Sequence, residues 1–176
     1  MLFHTSSRGF SVGAGQPLPF LNLSRVFVIT GPGTCSASES IINGLRGVDV
    51  EVIQIGSTTC GKPYGFYPFD NCGTTYFSIQ FKGVNSKGFG DYTDGFSPAN
   101  LPSTQGTEIP GCSIADDFIH QLGDPDEARF AAALAYRLDG SCPSTSLASR
   151  ASRHPLSAVN GQLVKSVWLR NRIMRH

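Results

Sequence analysis

Short apolar runs alternate with turn-forming residues along this chain, and no long helical stripe is present. Residues 25–30 read RVFVIT, apolar and β-branched, and predict a buried strand. After a Gly-Pro-Gly turn, residues 36–45 place Ile41, Ile42 and Leu45 on one face and predict a helix. Residues 50–55, VEVIQI, predict a second strand. Strand, helix and strand in so short a span imply a parallel, right-handed crossover, and hence an α/β fold. Further on, residues 74–81 (TTYFSIQF) alternate as a strand, and residues 89–96 are glycine-rich and aromatic, a loop or irregular strand. Residues 114–122 and 126–138 read as helices, the second opening after Asp124-Pro125 with acids in its first turn. Residues 1–24 carry Gly, Pro and Ser without a period. From Ser141 a Ser-rich connection leads into a basic tail. The expected organisation is an irregular segment 1–24, a core 25–142, and a linker and tail 143–176.

The length of 176 residues fits one ordinary domain, and twenty glycines with eleven prolines suit many strand connections rather than a helical bundle. Charge is unevenly spread. Up to Asp139 there are thirteen acidic and eight basic residues, net −5; beyond it come six basic residues and no acid. Such a tail suits contact with nucleic acid or anionic lipid. Its basic residues are spread out, with Trp168 their one aromatic companion, so a solvated extension is favoured and no nucleic-acid partner is expected.

Five cysteines (35, 60, 72, 112, 142) form no C-x-x-C pair, and the histidines at 4, 120, 154 and 176 are scattered, so neither a metal site nor a cofactor is expected. Disulfides fit better, for instance Cys60 with Cys72 and Cys112 with Cys142, leaving Cys35 odd, although spacing alone does not fix a pairing. They favour an oxidising compartment. The opening MLFHTSSRGFSVGAG lacks the pattern of a signal peptide, and no stretch reaches the ~20 apolar residues of a membrane span. Either the chain is a piece of something longer or its thiols are reduced.

The chemistry concentrates in residues 30–40, TGPGTCSASES. As a phosphate loop this stretch lacks the lysine of a Walker motif and the third glycine of a dinucleotide motif, and Pro32 removes an amide donor. As a helix start it fits well: Ser36-Ala37-Ser38-Glu39 matches the S-x-x-E capping box. As a nucleophile, Ser36 needs a base, and no histidine is well placed. Lys62, in Ser57-Thr58-Thr59-Cys60-Gly61-Lys62, follows the second strand. A parallel crossover brings the C-terminal ends of both strands to one sheet edge, so Ser36 and Lys62 approach each other there. A lysine serves as base when burial and nearby positive potential lower its pKa, and the Gly-, Thr- and Cys-lined loop is expected to supply that partly dry setting.

Together, in order, Gly33-Thr34-Cys35-Ser36-Ala37-Ser38-Glu39 and Gly56-Ser57-Thr58-Thr59-Cys60-Gly61-Lys62 resemble the S41 family of serine peptidases, the C-terminal processing or tail-specific proteases. The resemblance covers roughly residues 20–100, with a weaker echo to 142. It implies a partial crotonase-like (ClpP/crotonase) α/β core over 25–142, with Ser36 as nucleophile, Lys62 as general base and the Ala37 amide as an oxyanion donor. The implied reaction is peptide hydrolysis through an acyl-enzyme on a peptide or protein substrate, outside the cytoplasm: periplasmic, extracellular or membrane-anchored.

Three departures qualify the match. The Ser36–Lys62 interval of 26 is one longer than is common, which residues 46–49 can absorb. Phe66 stands where many members carry a glutamine that orients the lysine, leaving Ser57, Thr59 or Asp49 as substitutes. No segment of residues 1–24 matches the family's glycine pair, which supplies the second oxyanion donor; Gly13-Ala14-Gly15 has no strand before it. The expectation is therefore the C-terminal half of a catalytic domain, from a truncated or internally started frame, weak or inactive alone. The alternative is a non-catalytic module on the same fold that binds peptides or apolar ligands, with Phe66, Tyr76, Phe77, Phe89, Tyr92 and Phe96 lining a groove.

Overall fold

The strand Glu51–Gly56 (β2 in chain order) is the axis of the computed structural model, which describes residues 4–9, 11–101 and 106–143. The strand Arg25–Thr30 (β1) pairs with it in parallel along its whole length, Arg25 opposite Glu51 and Thr30 opposite Gly56. The helix Ala37–Gly47 (α1) connects the two. On the other side of β2 runs a short parallel strand, Gly111–Ser113 (β9), so the sheet order is β1-β2-β9. The mixed α/β class and both strands of the crossover follow the sequence pattern, but β1, predicted to be buried, is only partly so: Arg25 and Ile29 are exposed, and Thr30 is its one buried residue.

Alternation along β2 divides the core into two layers. Ile53 and Ile55 face one way and pack with Cys112, Ile114 and the alanines Ala132 and Ala133 of the second helix, Ala128–Asp139 (α2). Val52 faces the other way and packs with Ile42 of α1, Tyr92, Phe96 and Ile109. A strand covered on both faces must be apolar throughout, which is why VEVIQI reads as it does. The polar exception is Gln54, fully buried, whose Nε2 donates to Thr30 Oγ1 (2.9 Å), the Ser57 carbonyl (2.9 Å) and the Phe96 carbonyl (3.0 Å). It ties the C-terminal ends of β1 and β2 to the strand Phe96–Pro98 (β7), which pairs in parallel with Thr107–Ile109 (β8).

Between β2 and β7 the chain leaves the core as an arm. Tyr64–Phe66 (β3) pairs with Ile79–Lys82 (β6), and Phe69–Asn71 (β4) with Thr74–Tyr76 (β5), around a Cys72-Gly73 turn with both φ values positive. The single strand predicted over 74–81 is thus broken into β5 and β6, which serve different partners. Alternation in TTYFSIQF marks no buried face here; the arm's large side chains, including Phe66, Tyr76, Phe77 and Phe81, are exposed.

Other expectations are corrected. Ile42 is buried and Leu45 half-buried, but Ile41 is 60% exposed, so the apolar stripe of α1 is narrower than three residues. Tyr92 and Phe96 are core residues stacked at 4.8 Å, not groove lining. Of the two disulfides, Cys112–Cys142 is the one expected, whereas Cys60 pairs with Cys35, and Cys72, at the exposed tip of the arm, is the free thiol. The Cys60–Cys72 pairing fails because the arm carries Cys72 away, while Cys35, just after β1, lies beside the end of β2 at the same edge of the parallel pair. No helix among the described residues is long and apolar enough to cross a membrane. The linker and basic tail fall outside the described residues from 144 onward.

The helix predicted over 114–122 is a loop. Asp117 Oδ1 accepts from the Ile119 amide (2.8 Å), and Oδ2 accepts from the Ala128 amide (3.2 Å) and meets His120 Nδ1 (2.8 Å). A side chain that bonds its own backbone two residues on competes with helix, and Phe118, Ile119 and Leu122 are exposed and find nothing to pack against. These bonds hold the Asp117 carboxyl down at about 2, His120 first among the causes, and the same carboxylate raises His120. Asp117 contributes stability above its unfolded pKa that is lost as pH falls through about 2. His120 contributes stability below its unfolded pKa that is lost as pH rises through its raised value. Urea midpoints are therefore expected to fall on both sides of a plateau at about pH 4–6. His120→Ala should remove the decline on the alkaline side; an unchanged alkaline limb in that variant would contradict the assignment.

Candidate active site

Three segments meet at the C-terminal edge of the sheet: the loop after β1, the first turn of α1 and the loop after β2. Their meeting point is Glu39, whose carboxylate is fully buried. Oε1 accepts from Thr59 Oγ1 at 2.6 Å and the Gly61 amide at 2.7 Å. Oε2 accepts from the Ser36 amide at 2.9 Å and the Lys62 amide at 2.8 Å. A buried carboxylate is costly unless its oxygens are satisfied, and four donors offset that cost. One oxygen thus holds the backbones of Ser36 and Lys62 side by side.

Ser36 is the N-cap of α1, with φ 55 and ψ −106. Positive φ in a residue with a β-carbon is strained, of order 1–3 kcal/mol, and persists where the surroundings over-determine it. The Glu39 bond to the Ser36 amide is one such constraint, half of the capping box foreseen in the sequence. Ser36 is half-buried. The next amide, Ala37, opens the helix, has no acceptor within it, and belongs to an exposed residue. An anion beside Ser36 at this end meets both that donor and the positive end of the helix dipole.

The loop after β2 is fixed just as firmly. The Cys60 amide donates to the Thr34 carbonyl (3.0 Å) and the Thr59 amide to the Phe96 carbonyl (3.0 Å). Gly61 has φ 78, and a β-carbon there would collide with the Thr93 carbonyl, so this position before Lys62 demands glycine. The Cys35–Cys60 disulfide, with Cα atoms 5.3 Å apart, joins the residue before Ser36 to the loop that carries Lys62.

Lys62 itself departs from expectation. Its side chain is exposed, with Nζ over the Phe66 ring at 5.9 Å from the centroid, and it makes no hydrogen bond to Ser36 among the described residues. The partly dry setting is not formed, because Pro63 leads straight into the exposed arm and nothing among the described residues covers the ammonium.

The candidate orienting residues separate. Thr59 Oγ1 donates to Glu39 and accepts from the Phe96 amide (2.8 Å), which commits it to the loop's scaffold. Asp49 lies past the far end of α1, roughly 16 Å of helix from Ser36, and pairs with Lys87. Ser57 adjoins the edge; its carbonyl accepts from Thr30 Oγ1 (2.7 Å), and its buried Oγ has no partner among the described residues. Sequence reasoning missed the cross-links from Glu39 to Thr59, Gly61 and Lys62, since an S-x-x-E motif signals only the local cap. It also missed Gln54, for which the signal was a lone amide in an otherwise apolar strand. No group of His, Cys, Asp and Glu able to hold a metal occurs among the described residues.

No family model matches the chain, and no curated protein matches it. Among solved structures, a protein from Bacteroides fragilis described as a "Putative S41 protease" is 26% identical, with a TM-score of 0.48; the match covers 68% of this chain and 29% of that one. The chain therefore spans less than a third of the length of that protein.

The Glu39 bonds yield a direct expectation. Glu39→Gln keeps the shape but turns one acceptor oxygen into a donor facing two amide or hydroxyl donors, a cost of roughly 2–4 kcal/mol. Urea unfolding should register a loss of that size, whereas a loss under about 0.5 kcal/mol, as at an ordinary surface site, would refute the four-donor assignment.

Proposed function

We propose that residues 25–142 form part of a Ser-Lys peptidase of the S41 kind, with a crotonase-like core. Ser36 attacks a peptide carbonyl, Lys62 takes its proton and returns it to the leaving amine, and the Ala37 amide stabilises the oxyanion. Water, activated by Lys62, then releases the acyl group. The observation that carries this reading is the single Glu39 oxygen shared by the Ser36 and Lys62 amides. A pure helix cap needs only the first of these bonds; the second fixes the lysine loop against the serine.

The strained backbone of Ser36 and the free first amide of α1 support the same roles. With the Lys62 ammonium exposed, the base operates once a bound substrate or covering segment removes water from it. With the Ala37 amide as the oxyanion donor these residues contribute, hydrolysis by the chain alone should be slow, since one missing donor costs about 100- to 1000-fold. Two disulfides among the described residues support a site of action outside the cytoplasm.

The stack of Lys62 on Phe66, and the contact of Phe66 with Phe77 at 5.4 Å, favour one second reading, a peptide-binding module that does no chemistry. A fluorophosphonate probe separates the two. The peptidase reading expects covalent labelling of the chain, abolished by Ser36→Ala and slowed at least about tenfold by Lys62→Ala. Peptide binding without labelling would leave the binding module instead.

A further inference from the structure

Ser36 holds its positive φ between two anchors. On the helix side its amide is bonded to Glu39. On the other side stands Cys35, bonded through sulfur to Cys60. Apart from that bridge, the nucleophile loop is joined to the lysine loop through the Thr34 carbonyl and through Glu39. Within itself the loop is held by Thr34, whose amide donates to the Gly31 carbonyl (2.9 Å) and whose Oγ1 accepts from the Gly31 amide (3.0 Å), while Pro32 and Gly33 are exposed. The tight turn before Ser36 thus has little packing of its own.

We propose that the Cys35–Cys60 disulfide is a covalent clasp that positions Ser36 against the Lys62 loop, so that opening it disables the site while leaving the fold intact. This rests on the Ser-Lys reading above. The two disulfides differ in access: Cys35 is half-buried and Cys60 exposed, whereas Cys112 is fully buried under α2 and Cys142 half-buried. A dithiol reductant is therefore expected to open the first before the second as its concentration is raised. Its thiolate attacks a sulfur of the bridge and forms a mixed disulfide with the chain; its second thiol then displaces the chain sulfur and becomes a cyclic disulfide. The chain gains two electrons and two protons, and Cys35 and Cys60 become free thiols. Cys35 is then released from the lysine loop, and the strain at Ser36 can relax by rotation of the Cys35–Ser36 backbone.

The test uses the full chain treated with graded dithiothreitol, with differential alkylation and mass spectrometry to identify which bridge has opened. Two readouts follow: the rate of fluorophosphonate labelling, and amide hydrogen exchange in peptides covering 31–40, 57–63, 25–30 and 51–56. Opening Cys35–Cys60 alone should slow labelling on the order of 100-fold, the scale of a misplaced reacting group. Exchange should quicken in 31–40 and 57–63 and stay unchanged in 25–30 and 51–56, and reoxidation should restore both. Cys35→Ser/Cys60→Ser should reproduce the reduced state without dithiothreitol; if that variant does not fold, the reversible reduction supplies the same comparison. Unchanged exchange in 31–40 and 57–63 after the bridge has opened overturns the clasp. If the oxidised chain takes no label at all, the peptidase reading fails, and exchange alone still decides whether the bridge holds the loop.

Discussion

A carboxylate buried at the first turn of a helix has to find donors, and Glu39 finds them in two segments far from each other in sequence. Ser36 is supplied by its own turn; Thr59, Gly61 and Lys62 come from the loop after β2. Because all four bonds end on one rigid three-atom group, pulling the first turn of α1 away from the loop after β2 leaves a buried charge short of donors, and the Cys35–Cys60 bridge adds a second tie at the turn before Ser36. The rest of the sheet edge is arranged around that requirement. Gln54 pins Thr30, Ser57 and Phe96 beneath it, and Thr59 passes the connection on to the Phe96 amide.

On the proposed reading, the capping role of the opening loop and the catalytic one share a single carboxylate. The cap sets Ser36 at the positive end of α1, where the Ala37 amide is left without a helical partner, and the same carboxylate brings the lysine loop alongside. What the described residues do not provide is a cover. The Lys62 ammonium is exposed on the Phe66 ring, and the arm from Tyr64 to Lys82 presents its aromatics to solvent. Scaffold and cover separate here: the backbones of Ser36 and Lys62 are held side by side, while the Lys62 side chain lies open to solvent.

The sequence was most legible along β2, where burial on two faces restricts the choice of residue, and along the partly buried β1 beside it. RVFVIT and VEVIQI became parallel neighbours, and α2 begins within two residues of its expected start. It misled where a local pattern was satisfied without burial. Alternation over 74–81 served an exposed arm, and the apolar spacing over 114–122 was overruled by Asp117 bonding its own turn. That Ser36 and Lys62 lie at one sheet edge was legible because a parallel crossover brings strand ends together. The link between them was not: Glu39 reads as a local cap, and its bonds to residues some twenty positions later follow from packing that no spacing rule encodes. Cys35–Cys60 was hidden in the same way, its partners adjacent only once the crossover is closed.

The central claim is that Glu39 makes Ser36 and Lys62 act as a unit. A double-mutant cycle on fluorophosphonate labelling measures this most directly, comparing the wild-type chain, Glu39→Gln, Lys62→Ala and the double variant, each confirmed folded by circular dichroism. If the carboxylate works by holding Lys62 to Ser36, removing both should slow labelling scarcely more than removing Lys62 alone, a coupling of at least about 1 kcal/mol. Additive effects of the two substitutions would show that Glu39 and Lys62 act independently, and would contradict the account.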